Sequence, residues 1–103
     1  MYIYNVTITL EPEIEAQWLN WMQQEHIPAM LATKKFSGAL MTRVITDQDL
    51  GGPTYSVQYR TQSKAILEQY YQEDAPKLRA ASAAFAGKFV AFRTELDIIT
   101  ECS

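Results

Sequence analysis

The chain predicts an α+β domain of the split βαβ, or ferredoxin-like, class, in the order strand, helix, strand, strand, helix, strand. Three observations carry this. Residues 2–10 alternate at a period of two. Two longer stretches, 11–34 and 61–87, hold apolar residues at helical spacing. A dense run of turn formers, Asp47 to Pro53, separates two alternating segments. With 103 residues, one domain spanning 1–103 is expected, and two would not fit. A chain of this size buries a single core of modest stability.

Each element has its own signal. Tyr2, Tyr4, Val6, Ile8 and Leu10 lie on one side of the first strand, with Ile3, Asn5, Thr7 and Thr9 on the other. Glu11-Pro12-Glu13 opens a helix, with proline near its start and acids in its first turn. It is expected to run to about Glu25. Trp18, Trp21, Met22 and Glu25 share a face, with Ile14 one turn earlier. Pro28 restricts Ile27 and predicts a break or a fresh start, with Ala29 to Lys34 adding a short helical turn. Phe36-Ser37-Gly38 is a turn, and Ala39 to Thr46 a second strand. Tyr55, Val57 and Tyr59 alternate with Ser56, Gln58 and Arg60 in a third. Thr61 or Ser63 can cap a second long helix, whose inward stripe is Leu67, Tyr70, Tyr71, Leu78, Ala81 and Phe85. Asp74-Ala75-Pro76 interrupts it and Gly87 stops it. Phe89 to Thr100 is the fourth strand.

The balance of charge narrows the function classes. A net charge of −3, with Lys34-Lys35 the only adjacent basic pair, argues against nucleic-acid binding, which needs clustered cations. No apolar run approaches a membrane span. The N-terminus lacks the basic and long apolar regions of a signal peptide. Cys102 is the sole cysteine, so no internal disulfide forms and nothing points to secretion. A cytoplasmic protein is expected. Gly-rich phosphate loops, paired cysteines and nucleophile elbows are missing, so no cofactor and no covalent catalysis are expected.

Two helices cover one face of such a sheet, and the other face needs solvent or a partner. Both strand faces are fairly apolar. Val90, Phe92, Leu96 and Ile98 oppose Phe89, Ala91, Arg93, Glu95 and Asp97, while Leu40 and Val44 oppose Met41 and Ile45. An apolar outer face predicts a homodimer with sheets packed face to face.

Glu25-His26-Ile27-Pro28, followed by Met30-Leu31-Ala32 and Phe36-Ser37-Gly38-Ala39, resembles the segment after the first helix in dimeric α+β barrel proteins. That superfamily includes cofactor-independent monooxygenases, muconolactone isomerases, polyketide cyclases and haem enzymes. More closely, the whole chain resembles a family of short bacterial proteins known only as a domain of unknown function. The matching blocks are Met1 to Thr7, Trp18 to Pro28, Tyr55 to Tyr59, Tyr70 to Pro76 and Gly87 to Glu95. The resemblance implies the fold and a dimeric α+β barrel. It carries no activity, because function lives in sites rather than folds.

The candidate site residues each admit two readings. His26 is a natural general acid or base near neutrality, or a residue capping free carbonyls ahead of the proline. Alone it makes a poor zinc site, which would need three further ligands, and no metal is expected. Haem could take one axial histidine, but nothing else in the chain asks for haem. Glu25, if buried on the apolar stripe, would have its pKa raised and suit acid-base work; otherwise it snorkels to water. Trp18 and Trp21 either wall a pocket for a flat ligand or fill the core. Tyr71 lies near Asp74, which either meets Glu25 or His26 or caps a restarted helix at Pro76, the favoured account. Arg93 either binds a substrate carboxylate or pairs with Glu95 or an acid of a second copy; the interface role is favoured. Tyr55 and Tyr59 present hydroxyls to a cavity or pack in the core.

Three functions follow. One is an enzyme acting on a small apolar or aromatic metabolite, with His26 and Glu25 as acid-base groups and Trp18, Trp21, Tyr59, Tyr71, Asp74 and Arg93 around the ligand. A binding module without chemistry is the second. The third is a structural or interaction homodimer whose aromatics only fill the core. A ligand site of ordinary size would show as a cavity of about 300 Å³ or more.

Overall fold

The computed structural model describes residues 1–103. Its centre is strand β1 (Tyr2–Leu10), flanked by β3 (Thr54–Thr61) and β4 (Phe89–Asp97), with β2 (Gly38–Arg43) beyond β3. The order is β2-β3-β1-β4, and every neighbouring pair is antiparallel. β1 and β2 therefore run parallel with β3 between them, which is the split arrangement expected. β2 stops at Arg43 rather than Thr46, and β4 at Asp97 rather than Thr100. The reason is the same at both ends: the partner strand has run out, since β3 begins at Thr54 and β1 at Tyr2.

The first helical region is more irregular than its periodicity suggests. Pro12 opens one tight turn, Pro12–Ile14, followed by α1 (Glu15–Trp21). A widened turn, Met22–His26, then leads into α2 (Ile27–Ala32), with the Ile27 N–H reaching back five residues to the Met22 carbonyl. Of the two outcomes expected at Pro28, a break or a fresh start, the chain takes the second: α2 starts at Ile27 with no non-helical gap before it. Proline lacks an N–H and crowds the carbonyl four residues back. A turn widened by one residue relieves that crowding, and Pro28 sits in the first turn of α2, where no N–H is needed.

The widened turn also sets which side chains face the sheet. Ile14, Trp18, Met22 and Met30 are buried, and His26 between them is half-buried. This is a strict i+4 series. A regular helix rotates such a series by about 40° at each step, and the widened turn takes back part of that drift. His26 thereby joins the inward stripe and Glu25 is turned out to solvent.

The second region divides into α3 (Lys64–Glu73) and α4 (Ala75–Ala80) at Asp74, with Pro76 in the first turn of α4. Ser63 is the cap of α3, its hydroxyl accepting from the Ile66 N–H at 3.2 Å. Thr61 instead completes β3 and is buried. Leu67, Tyr70 and Phe85 are buried on the expected stripe, but Ala81 is exposed because it lies beyond the end of α4.

The core lies between these helices and one face of the sheet. Tyr4, Val6 and Ile8 of β1 register with Tyr59, Val57 and Tyr55 of β3. Tyr4, Phe36, Tyr59 and Tyr70 interlock, with ring centroids 4.9 to 6.2 Å apart. Each such pair contributes about 1 kcal/mol beyond its area burial. The other face of the sheet is open. Leu40, Val90 and Phe92 are 59%, 59% and 69% exposed there. Between them is a polar strip in which Ser56 donates to Asn5 and Asn5 to Thr7 and Thr94.

Candidate functional site

A cavity of about 60 Å³ lies between the helices and the covered face of the sheet. Trp18 reaches it from α1, Met22 and His26 from the widened turn, Tyr59 from β3 and Arg93 from β4. Trp21 lines it too. The volume is well below the 300 Å³ of an ordinary ligand pocket. It accommodates a group of a few heavy atoms as the side chains stand.

Both tryptophans serve as core and as wall. Trp18 is 3% exposed and packs against Tyr55 at 5.3 Å. Trp21 stacks on the His26 ring at 4.7 Å, with planes 23° apart, and meets the edge of Phe85 at 5.5 Å. The stack fixes the plane of the imidazole. His26 makes no cap at α2, and its Nδ1 is buried without a hydrogen-bond partner. Such an orphan costs about 1–3 kcal/mol, and it leaves an unused bonding nitrogen on one of the residues that line the cavity. Burial first, and the Arg93 charge second, push the imidazole pKa down to about 4. His26 is therefore neutral at pH 7.

Several expected members are placed elsewhere. Glu25 is exposed and does not line the cavity, because the widened turn points it away. Asp74 is outside as well. It makes no side-chain cap, and Lys35 Nζ binds it at 2.7 Å instead. Tyr71 packs on Tyr4 at 5.7 Å and donates to Glu95 at 3.0 Å, off the cavity wall. Glu95 also receives Lys64 Nζ at 2.9 Å, so it is occupied and does not pair with Arg93. The register of Val6 with Arg93 puts that arginine on the helix-covered side, away from the open face where a second copy was expected to meet it. Tyr55 belongs to a separate, saturated cluster. It donates to Glu15 at 2.5 Å and accepts from Arg43 at 3.1 Å.

Sequence reasoning missed Arg79 altogether. It sits on α4, lines the cavity with Ser82 just beyond, and donates to the Tyr4 hydroxyl at 3.1 Å. Nothing in the sequence separates it from Lys77, since both read as solvent-facing cations of one helix. Tyr4 and Tyr70, which also line the cavity, were legible as inward residues but not as site residues. No group of three or more metal-ligating side chains gathers anywhere, and no helix is long and apolar enough to cross a membrane.

Known structures share this architecture at low identity. A dimeric ferredoxin-like protein from an uncultured marine organism is similar at 11% identity and a TM-score of 0.74, over 98% of this chain and 97% of that one. The heme-degrader MhuD of Mycobacterium tuberculosis is similar at 15% identity and a TM-score of 0.70, over 100% of both chains. SnoaB, a cofactor-independent oxygenase from Streptomyces nogalater, is similar at 9% identity and a TM-score of 0.67, over 97% of this chain and 94% of that one. These likenesses show the fold. No curated protein matches the chain at a significant level. A family model does match residues 1–99, and the chain belongs to that family, described as a domain of unknown function, DUF4286.

Proposed function

We propose that this protein binds a small apolar or aromatic metabolite in the cavity beneath Trp18 and Trp21, with the neutral His26 imidazole as the hydrogen-bonding group of the site. The observation that carries the reading is the His26 imidazole. It is neutral, oriented by its stack on Trp21, and has a buried nitrogen with no partner inside the protein. A neutral imidazole offers one acceptor and one donor, which is what a polar atom on an otherwise apolar ligand needs. Glu25 has no part in it.

The similar structures lend support by analogy only. One is a heme degrader and one a cofactor-independent oxygenase, so this fold hosts heme degradation and oxygenation elsewhere. The protein also self-associates in this reading, through the open face bearing Leu40, Val90 and Phe92, as the similar marine protein is dimeric.

Indole N–H shifts of Trp18 and Trp21 in an NMR titration against small aromatic fragments test the reading. Hits that move both indoles and the His26 ring signals are expected. His26→Ala should weaken any such hit about tenfold, the loss of one buried hydrogen bond, and for a hit that is turned over it should abolish turnover. A fragment set that moves neither indole overturns the reading. It would favour a second one, a purely structural homodimer, for which the small cavity volume of about 60 Å³ is the argument.

A further inference from the structure

Ion pairing in this chain leaves Lys34, Lys77, Arg79 and Arg93 unmatched, and the two arginines share one place. The charge is −3, so acids outnumber bases. The ion pairs engage Lys35, Arg60, Lys64 and Lys88, and Arg43 is held at the Tyr55–Glu15 cluster. Neither Arg79 nor Arg93 has a carboxylate partner, and both line the same cavity. They come to it from different elements, α4 and β4, and both act on the Tyr70 hydroxyl inside, each favouring its ionised form. No aspartate or glutamate lines the cavity. Glu95 is two residues from Arg93 on the same side of β4, but Lys64 and Tyr71 already hold it.

We propose that the ligand of this cavity is a small organic anion, a carboxylate on a short apolar or aromatic body, with Arg79 and Arg93 gripping the carboxylate at the mouth. This rests on the cavity being a ligand site, as argued above, and adds the class of ligand. Guanidinium groups bind carboxylates through paired, charge-assisted hydrogen bonds. Arg79 keeps its donation to the Tyr4 hydroxyl at 3.1 Å, which orients the fork and leaves other N–H groups free. Most of the remaining lining is apolar, Val6, Ile8, Met22 and Phe89 among it. The cavity volume of about 60 Å³ suits a short body, with the charged head outside it between the arginines. A cationic ligand would meet two like charges there.

A matched pair of probes separates the two claims. Benzoate and its neutral near-isostere benzamide are titrated into the intact protein, followed by the Trp18 and Trp21 indole signals. Benzoate is expected to bind at least tenfold more tightly than benzamide, with an affinity that falls as salt rises. Arg79→Gln and Arg93→Gln should each weaken benzoate about tenfold and leave benzamide unchanged, in proteins whose amide spectra remain native. Equal binding of the two probes overturns the anion assignment while the cavity reading stands. Benzoate binding that survives both substitutions overturns the arginine grip. Silence of both indoles with both probes overturns the anion proposal and the ligand site together. The probe comparison needs no variant, so a misfolded substitution does not block the decision.

Discussion

At His26, burial and the Arg93 charge act in the same direction, both against the imidazolium. The side chains facing the ring are Trp21 by stacking and Arg93 by charge, and neither offers a proton acceptor. The unfolded chain has an ordinary histidine near 6.5, whereas the folded one holds it at about 4. Between those values the unfolded state takes up a proton that the folded state refuses. Stability therefore rises with pH across this window and is lost as pH falls from about 6.5 to about 4. The full shift corresponds to roughly 3 kcal/mol. Urea midpoints at pH 4.5 and 7 measure it, and His26→Gln should flatten the difference, because glutamine does not titrate. An unchanged pH dependence in His26→Gln would place the titrating group elsewhere. The residue scale is also where the sequence was least legible. Glu25 and His26 are adjacent and both fit helical spacing, so only the widened turn decides which one faces the sheet. Arg79 and Lys77 differ in reach and geometry, not in pattern.

Elements were more legible than residues, for a physical reason. Alternation in β1 and the inward stripe of α3 report burial directly, and burial is what the sheet and helices exist to achieve. Caps and stops were nearly as clear: Ser63 caps α3, and Gly87 takes a left-handed φ of +79° after the last helical turn. The turn at Met22–His26 left no trace, because an i+4 apolar repeat reads alike in a regular and a widened helix. The connection before β3 was legible as a loop but not as a close contact. Gly52 adopts a φ of +155°, and a Cβ there would lie 2.3 Å from the Leu10 carbonyl oxygen. That contact is backbone against backbone, locked by the Leu10 N–H donating to the Pro53 carbonyl at 2.8 Å. Gly52→Ala should therefore cost about 2–3 kcal/mol, from strain and displacement of the β1 end together. Gly51 is the control. It also has a positive φ, of +89°, but open space around its Cβ position, so Gly51→Ala should cost only about 1 kcal/mol. Equal unfolding midpoints for the two variants would show that the Leu10 contact yields freely.

For the whole molecule, the asymmetry of the sheet is the governing fact. One face is covered by four helical segments and encloses the aromatic cluster. The other carries apolar side chains along β4 and β2, with Phe92 the most exposed of them on the sheet, at 69%. A monomer would leave that surface in water, at about 25 cal/mol for each Å² that a partner could cover. The polar strip of Asn5, Ser56, Thr7 and Thr94 lies between the apolar margins with its hydrogen bonds largely satisfied within the sheet. It could thus be buried at little desolvation cost. Phe92 pairs with Thr7 in the β1–β4 register and points away from the cavity, so a change there tests the outer face without touching the site. Phe92→Lys should shift the particle from twice the chain mass of 11.8 kDa to the chain mass itself in size exclusion with light scattering. The fold should persist, because the new ammonium remains in solvent in the monomer. Retention of the doubled mass would move the self-association off this face. If Phe92→Lys is monomeric and the benzoate affinity is unchanged, the cavity is complete within one chain. If affinity falls with the dimer, the two faces of the sheet are energetically coupled through β4, which carries Phe92 on one side and Arg93 on the other.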